Sequence, residues 1–461
     1  MKFLAQHKLA LVIALAVVIR LAVLLLFPQV FGFDQTGAEQ GSDAYDVYAQ
    51  NLLTTGVYGR TPGVPDAAIP PLYSYVLAGV YGVFGRGYIQ VGLFHILLDS
   101  LSIALLYEIG RRLMPQGEIV GLLAGLFYAL YPYLVFQNLT LLDNTLFITL
   151  LYAFILLMIL LRERPILDRG AWILSILGGL TLGLSMLVRP VLPPLAVLVA
   201  MWFLFRLNWI QTICRLLPVA LVGGAVLLPW IGRNFQIFTA FVPMTTTSGA
   251  NFWQGNSRFT VPVFRAGYDV QWTSPTPDMQ TKDLYSREAD AERFALGFQY
   301  LRDNPAKIPE LMWVKFLVHW SIDIAPRYNP KPNERLGLDE AGNFIIRQVD
   351  NADQLLSQGA NDPVTQYETP LFDLNRTIHR FYWGGLFLLG LAGIGLTLKQ
   401  WREVSLLWFV QISMTAVYVF FHPSTRYRAP TDPLWFLFSA YTICWAWGWW
   451  KRRQPPIPAG T

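Results

Sequence analysis

Long apolar segments recur along this chain, and they constrain its fold more than any other feature of the sequence. They are long enough to cross a hydrocarbon core of roughly 30 Å as helices. Hydrophobic residues make up 54% of the 461 residues and charged residues only 14%, about half of the charged fraction of an ordinary soluble domain. The pattern excludes a soluble globular protein and predicts an all-α polytopic membrane protein.

We predict a bundle of about ten transmembrane helices, within a range of 10 to 12. The predicted spans are 9–28, 88–110, 118–137, 144–161, 171–188, 191–207, 213–231, 379–398, 404–421 and 433–450. The segment 70–85 is apolar but too short for a span after its two prolines, so we expect an interfacial or re-entrant helix. The sequence leaves open whether 308–325 forms an additional span.

The positive charges predict the orientation of the bundle. With ten spans, most basic clusters fall in short loops on one side, and loops of this kind stay in the cytoplasm. These residues are Lys2, Lys8, Arg111, Arg112, Arg162, Arg164, Arg169, Arg206, Arg215, Lys399, Arg402, Lys451, Arg452 and Arg453. We therefore expect a multi-pass protein of the plasma membrane with both termini in the cytoplasm.

This topology divides the chain into three regions. Residues 1–256 form an N-terminal transmembrane region that includes the first outer loop, 29–87. Residues 257–378 form an extracytoplasmic region, with 284–304 as an amphipathic helix and 326–376 as an irregular stretch rich in Pro, Asn, Asp and Gly. Residues 379–453 hold the C-terminal transmembrane helices.

Carboxylates gather in the predicted outer loops. Asp43 and Asp46 are three residues apart in GSDAYDVYAQNLLTTGVY, so in a helix they share one face beside Tyr45. Such a pair can accept a proton or organise a cation. The alternative is an amphipathic surface helix with its charges in water. Asp143 lies at the mouth of a span and is either a site residue or a helix cap.

Arginines lie on the same predicted outer face. Arg189 and Arg233 are at the outer ends of spans, where snorkelling to lipid headgroups is the alternative to ligand binding. Arg426 and Arg428 in RYRAP depart together from the positive-inside rule. A phosphate would account for them, because guanidinium groups bind phosphate in a bidentate fork.

The order of these motifs resembles the GT-C glycosyltransferases, in particular the family-39-like enzymes related to protein O-mannosyltransferases and lipid A aminoarabinose transferases. The resemblance lies in the first-loop aspartate with its tyrosine helix and in five later motifs. These motifs are PPLYSYVLAGVYGVFG, ALYPYLVFQNLTLLDNTLF, GLTLGLSMLVRPVLPPL, LPWIGRNFQIFTAFVPMTTTSGANFWQGN and RYRAPTDPLW. It covers most of 1–256 and 379–450 but not 257–378.

The resemblance implies transfer of a sugar from a polyprenyl-phosphate donor to a hydroxyl on the extracytoplasmic face, with inversion. It implies a hexosyl or pentosyl transferase with a lipid, glycan or protein as acceptor and no nucleic acid as partner. Asp43 is the expected general base, with Asp46 as its rival, and Asp143 would orient a substrate or an arginine. The donor's phosphate and sugar would meet Arg189, Arg233, Asn234, Arg426, Arg428, Tyr45 and Tyr427.

The resemblance leaves two further points open. Trp230 and Trp253 would either stack on sugar or isoprenoid or simply pack in the fold. No metal ligands are assigned, and participation of a divalent cation stays open, because the glutamate that the family often has beside its first-loop aspartate is replaced here by Ala44.

Other functions remain alternatives. These are a lipid-linked sugar transporter or flippase, a non-catalytic subunit of an envelope assembly, and an oligosaccharide polymerase or ligase. A transporter is expected to carry charges near the bilayer midplane. The predicted spans are nearly free of charge, which favours a transferase; the exceptions are Arg20, Asp99, Glu108 and Lys315.

Overall fold

The computed structural model describes residues 2–27, 43–166, 168–275, 277–281, 283–327, 334–348 and 370–453. Helices dominate the described chain, and the all-α polytopic class predicted from the sequence is confirmed. The first ten helices are α1 Lys2–Leu26, α2 Asp43–Thr55, α3 Leu72–Phe84, α4 Tyr88–Leu113, α5 Gly117–Leu130, α6 Pro132–Gln137, α7 Asn144–Glu163, α8 Arg169–Val188, α9 Pro193–Leu204 and α10 Trp209–Phe238.

The second half of the chain begins with short helices and ends with long ones. The elements are α11 Ser248–Gly255, α12 Thr260–Arg265, α13 Val270–Thr273, α14 Arg287–Asp303, α15 Ile308–His319, β1 Glu334–Leu338, β2 Phe344–Gln348, α16 Pro370–Leu396, α17 Trp401–Phe420, α18 Thr425–Arg428 and α19 Asp432–Arg453.

Each predicted span overlaps a helix of the structure. By length and composition, six helical stretches of the described chain can cross a membrane: His7–Leu26, Tyr88–Leu113, Asn144–Glu163, Arg169–Val188, Trp209–Phe238 and Leu398–Phe420. Three shorter apolar helices accompany them: Leu72–Phe84, Gly117–Leu130 and Pro193–Leu204. The total of ten crossings stays a prediction.

Two local features follow from proline. Pro132 starts α6, and Tyr131 before it is extended, so the predicted span 118–137 is two helices rather than one. Pro71 precedes α3, whose 13 residues reach only about 20 Å along the helix axis, short of a hydrocarbon core. The short apolar helix expected in 70–85 is therefore present.

The long helices form one bundle. Helix α4 packs against α1, α5 and α7, while α8 packs between α7 and α10. Helix α19 packs against α16 and α5, and α17 packs against α9. One apolar core of buried side chains joins most of these helices. The bundle thereby brings the loops at its ends close together.

A buried ion pair lies inside the bundle. Arg20 of α1 donates to the carboxylate of Asp99 in α4, and both side chains are about 1% exposed. Tyr128 and Asn138 also donate to Asp99, the latter over 2.8 Å. These two intramembrane charges therefore neutralise each other and link α1, α4 and α5.

The region after α10 forms a second, smaller core. Side chains of α12 and the 266–270 turn pack with α15 and with the β-hairpin. The antiparallel hairpin pairs Glu334 with Gln348 at its open end. The prediction of an irregular 326–376 stretch is wrong for this part of it. The amphipathic helix predicted at 284–304 is present as α14, and the segment predicted at 308–325 is helical over Ile308–His319.

Candidate functional site

The centre of the candidate site is a buried carboxylate between two arginines. Asp143 immediately precedes α7, and Arg189 immediately follows α8, so the two residues meet where these adjacent helices end. Arg189 donates from Nε to Oδ2 and from Nη2 to Oδ1 of Asp143, each over 2.6 Å. Both residues are almost completely buried. This bidentate geometry fixes the carboxylate and the guanidinium in one plane.

The geometry argues against one interpretation of each of these two residues. Asp143 occupies the position before the first helical residue, but its side chain makes no capping hydrogen bond. The helix-cap interpretation is therefore wrong for its carboxylate. Arg189 also donates to Asn144 and is only 6% exposed, so it does not snorkel towards lipid headgroups.

A second arginine approaches the same carboxylate from the loop between α17 and α19. Arg426 of α18 places Nη2 3.7 Å from Oδ1 of Asp143. The group of three side chains therefore carries one net positive charge. Burial alone would raise the pKa of Asp143, but Arg189 and Arg426 outweigh this effect and lower it. Asp143 is consequently ionised at neutral pH.

Aromatic rings line this charged group. Tyr427 stacks on Tyr418 with centroids 4.8 Å apart, and the Arg189 guanidinium lies 6.0 Å from the Tyr427 ring. Tyr45 of α2 packs edge-on against Tyr73 at 5.0 Å. Burial raises the pKa of Tyr45, and the charges of Asp143, Arg426 and Arg189 also act on it. Tyr45 and Tyr427 thus lie beside the central carboxylate as uncharged phenols.

The Asp46 carboxylate is hydrogen-bonded to other side chains of the protein. Arg86 donates to it from Nε over 3.0 Å and from Nη2 over 2.7 Å, and the Tyr81 hydroxyl donates over 2.7 Å. Asp46 is fully buried, so the surface-helix alternative is wrong for this residue. The sequence did not single out Arg86 and Tyr81, because neither stands near Asp46 in the chain. Asp43 begins α2, but its side chain lies outside the described part of the structure.

Arg233 and Asn234 donate hydrogen bonds to the backbone of two loops. Arg233 donates to the carbonyl oxygens of Asp66 and Tyr58 over 2.8 Å and 2.6 Å. Asn234 donates to the carbonyl of Val242 over 3.0 Å. The two side chains therefore connect the loop between α2 and α3 and the segment after α10 to the end of α10.

Arg428 is also engaged within the protein and is fully buried. It donates to Asp432 over 3.0 Å and to the carbonyl oxygens of His319 and Ser321 over 3.0 Å and 2.6 Å. Although Arg428 is two residues from Arg426, it lies in a separate ion pair. Its contacts hold the loop that carries Arg426 and Tyr427 against α15 and α19.

The two tryptophans named from the sequence are packed in the fold. Trp230 donates from its indole nitrogen to the carbonyl of Met244 over 2.8 Å, and Trp253 packs against Phe259 with ring centroids 6.2 Å apart. Both are buried, which favours the packing interpretation. In the described residues, no group of three or more His, Cys, Asp or Glu side chains is arranged to hold a metal ion.

Comparisons with known proteins address the fold and part of the sequence. Residues 68–232 match the family model of dolichyl-phosphate-mannose-protein mannosyltransferases. The match confirms the family resemblance over this range, which is less than half of the chain. Asp143 and Arg189 lie inside the range that matches the mannosyltransferase family, whereas Asp46 and Arg426 lie outside it. No match was found among curated proteins.

The fold is similar to that of an archaeal oligosaccharyltransferase from Archaeoglobus fulgidus. One structure, tethered with an acceptor peptide containing the NVT sequon, aligns with a TM-score of 0.55 at 12% identity, over 100% of this chain and 52% of that chain. Another, AglB in complex with an inhibitory peptide and a dolichol-phosphate, aligns with a TM-score of 0.54 at 14% identity, over 99% and 52%. The chain thus spans about half the length of these oligosaccharyltransferases, and the likeness establishes the fold.

Proposed function

We propose that this protein is a membrane glycosyltransferase that moves a sugar from a polyprenyl-phosphate donor to a hydroxyl acceptor on the extracytoplasmic face. One observation carries the proposal: Asp143 is buried between Arg189 and Arg426, and this group carries one net positive charge. Two guanidinium groups beside one carboxylate suit an anionic ligand, because guanidinium groups match the oxygens of phosphate. The family match and the dolichol-phosphate in the similar oligosaccharyltransferase structure support a lipid phosphate as that ligand.

The proposed reaction inverts the anomeric carbon. Asp43 takes the proton of the acceptor hydroxyl as its oxygen attacks that carbon. The bond from the carbon to the phosphate oxygen breaks, and its electron pair stays on the polyprenyl phosphate. Arg426 and Arg189 stabilise the developing negative charge on this leaving group. Asp143 acts as a positioning residue, because its carboxylate holds the Arg189 guanidinium in a fixed plane.

Other residues named from the sequence receive supporting roles in this proposal. We assign the base to Asp43 rather than Asp46, because Arg86 and Tyr81 already occupy the Asp46 carboxylate. Tyr45 and Tyr427 line the sugar and phosphate side of the site. The set of Arg233, Asn234 and Arg428 holds the loops that frame it.

The orientation belongs to the same proposal. The ends of α7 and α8 that carry Asp143 and Arg189 face away from the basic loops at the opposite ends of these helices. We infer that both termini are cytoplasmic and that the donor enters from the outer leaflet of a plasma membrane.

The test is a donor panel. Purified protein in lipid is incubated with short polyprenyl-phosphate monosaccharides, and released polyprenyl phosphate is measured together with the glycosylated acceptor. We expect one donor to yield both products. Failure of every donor to yield them, with tight donor binding intact, would remove the transferase assignment.

The main competing function is transport of the lipid-linked sugar. The Arg20–Asp99 pair is the feature that a transporter would use, since it is an intramembrane charge pair. In the structure the two side chains form an ion pair, and Tyr128 and Asn138 donate hydrogen bonds to Asp99. These contacts favour a structural role. Movement of the donor between leaflets without release of polyprenyl phosphate would support transport instead.

A further inference from the structure

Asp269 is a buried acid that the proposed reaction does not use. It is 1% exposed and lies in the outer region that neither the family model nor the sequence resemblance covers. The buried acids Asp46, Asp143 and Asp432 each accept a hydrogen bond from an arginine. Within the described residues, the Asp269 carboxylate accepts a hydrogen bond only from the backbone N–H of Gln271, over 2.7 Å.

Backbone hydrogen bonds bring Asp269 to the loop that carries Arg426. The Asp269 N–H donates to the carbonyl of Arg327 over 2.9 Å, and the Arg327 N–H donates to that of Gly267 over 2.8 Å. Two residues before Arg327, the carbonyl of Ala325 accepts from the Thr425 N–H over 2.6 Å. The segment 325–327 is therefore hydrogen-bonded both to the backbone of Asp269 and to the start of α18.

A second set of contacts holds the segment before Asp269 against the loop that leads to Arg426. Asn256 donates to the carbonyl of Phe420 over 2.9 Å. Gly255 sits so close to the carbonyl oxygen of Phe421 that an added Cβ would lie only 1.7 Å from it. A side chain at 255 would push the 248–256 segment away from the loop after α17. The docked segment also carries Gln254, which donates to the carbonyl of Gln271 over 3.3 Å.

The charge of Arg426 acts on both carboxylates. It is 3.7 Å from Asp143, and its charge also acts on Asp269 and lowers the pKa of that group. Asp269 in turn acts on Tyr427. Burial nevertheless dominates and raises the pKa of Asp269 from its ordinary value to about 7. Part of Asp269 is therefore protonated at neutral pH, and a hydroxyl donor would compensate its buried charge.

We propose that Asp269 binds a hydroxyl group of the donor sugar, close to the loop that carries Arg426. This inference rests on the proposed function and names a sugar-binding residue for it. A buried carboxylate without a side-chain donor is a strong acceptor for a sugar hydroxyl. With the phosphate at Arg426 and Arg189, an adjacent hydroxyl acceptor would hold the sugar attached to that phosphate.

A purely structural role is the alternative, since Asp269 caps the four-residue helix α13. The variant Asp269→Asn separates the two roles. Asparagine caps a helix about as well as aspartate, because its amide oxygen still accepts the Gln271 N–H. It does not retain the negative charge that strengthens the bond to a hydroxyl. Asp303→Asn, on the exposed end of α14, is the matched control.

The experiment compares the affinity of each protein for a sugar-carrying polyprenyl phosphate with its affinity for bare polyprenyl phosphate. We expect Asp269→Asn to lose roughly tenfold or more in affinity for the sugar-carrying lipid, since hydrogen bonds to charged groups are of this strength. Its affinity for the bare lipid should equal that of the wild type. Asp303→Asn should bind both lipids as the wild type does.

Equal binding of both lipids by Asp269→Asn and wild type would overturn the proposal. So would an equal loss for both lipids, because Asp269 would then act on the phosphate or on the fold. A wild type that binds no sugar-carrying lipid of the panel more tightly than the bare lipid would also overturn the proposal. The proposed function is decided separately, by release of polyprenyl phosphate in the donor panel, so the two failures are distinguishable.

Discussion

Arg189 donates two hydrogen bonds of 2.6 Å to the carboxylate of Asp143, and the pair joins the start of α7 to the end of α8. A buried ion pair is weak support for stability by itself, because desolvation offsets much of the attraction. Its more important consequence is geometric. The two hydrogen bonds hold the Arg189 guanidinium beside Asp143, the carboxylate that Arg426 also approaches. The two guanidinium groups are therefore positioned for a ligand before it binds.

Replacement of Arg426 should weaken phosphate binding. In Arg426→Gln the site loses its net positive charge, while the Asp143–Arg189 pair stays intact. We expect the affinity for bare polyprenyl phosphate to fall about tenfold or more, since a charged hydrogen bond is removed. Binding is measured on purified protein in lipid, with Arg302→Gln on the exposed surface of α14 as the control. Unchanged affinity in Arg426→Gln would remove Arg426 from the phosphate site.

The variant Asp46→Asn should retain activity. Its amide oxygen can still accept from Tyr81 and from Nε of Arg86, whereas Nη2 of the partly exposed Arg86 loses its acceptor and its charge partner. Loss of a general base lowers the rate by roughly 10²–10⁴. We expect the transfer rate per folded molecule to stay within about threefold of the wild type, well short of that loss. A hundredfold drop with normal folding would instead make Asp46 the base.

The Arg20–Asp99 pair should behave as a structural pair. In Arg20→Met, Asp99 is left buried without its charge partner, which typically costs about 3–5 kcal/mol. Adding Asp99→Leu removes the orphaned charge, so the double variant should be more stable than Arg20→Met alone. Thermal unfolding in detergent measures both. A double variant less stable than either single variant would contradict the idea that the two charges chiefly compensate each other.

The stability of the protein should depend on the protonation of Asp269. Its pKa is raised on folding from 3.8 to about 7, mainly by burial, so the folded state holds this proton more tightly than the unfolded state. The contribution of Asp269 to stability therefore falls as the pH rises from about 4 to 7. Asp269→Asn does not titrate, so its thermal midpoint relative to the wild type should rise over that range. A constant difference between pH 5 and pH 8 would contradict the raised pKa.

The sequence was sufficient to predict the bundle, because apolar length depends on composition alone. It was also sufficient to predict that Asp143 and Arg189 lie at the same end of the bundle. Each stands at a helix end, and the short connections determine which helix ends lie together. It was not sufficient to predict which acids are already paired. The partner of Asp46 is Arg86, 40 residues away, and only the packing of α2 against α3 brings them together.

The outer region shows a second limit. The hairpin at Glu334–Leu338 and Phe344–Gln348 lies in a polar stretch whose strands alternate weakly, and its stability comes from packing on α12 and α15. Asp269 had no signal in the sequence, because GYDVQW matches no motif and its burial depends on the strand around Arg327. Contacts of this kind are long-range and have no local pattern.

The measurement that tests the central claim most directly is release of polyprenyl phosphate by the wild type and by Asp43→Asn, using the donor that the panel identifies. The exposed-site variant Asp303→Asn serves as the control, and thermal unfolding shows that all three proteins are folded. We predict release by the wild type and the control and a loss of roughly 10²-fold or more in Asp43→Asn. Release by Asp43→Asn at the wild-type rate would contradict the assignment of the base.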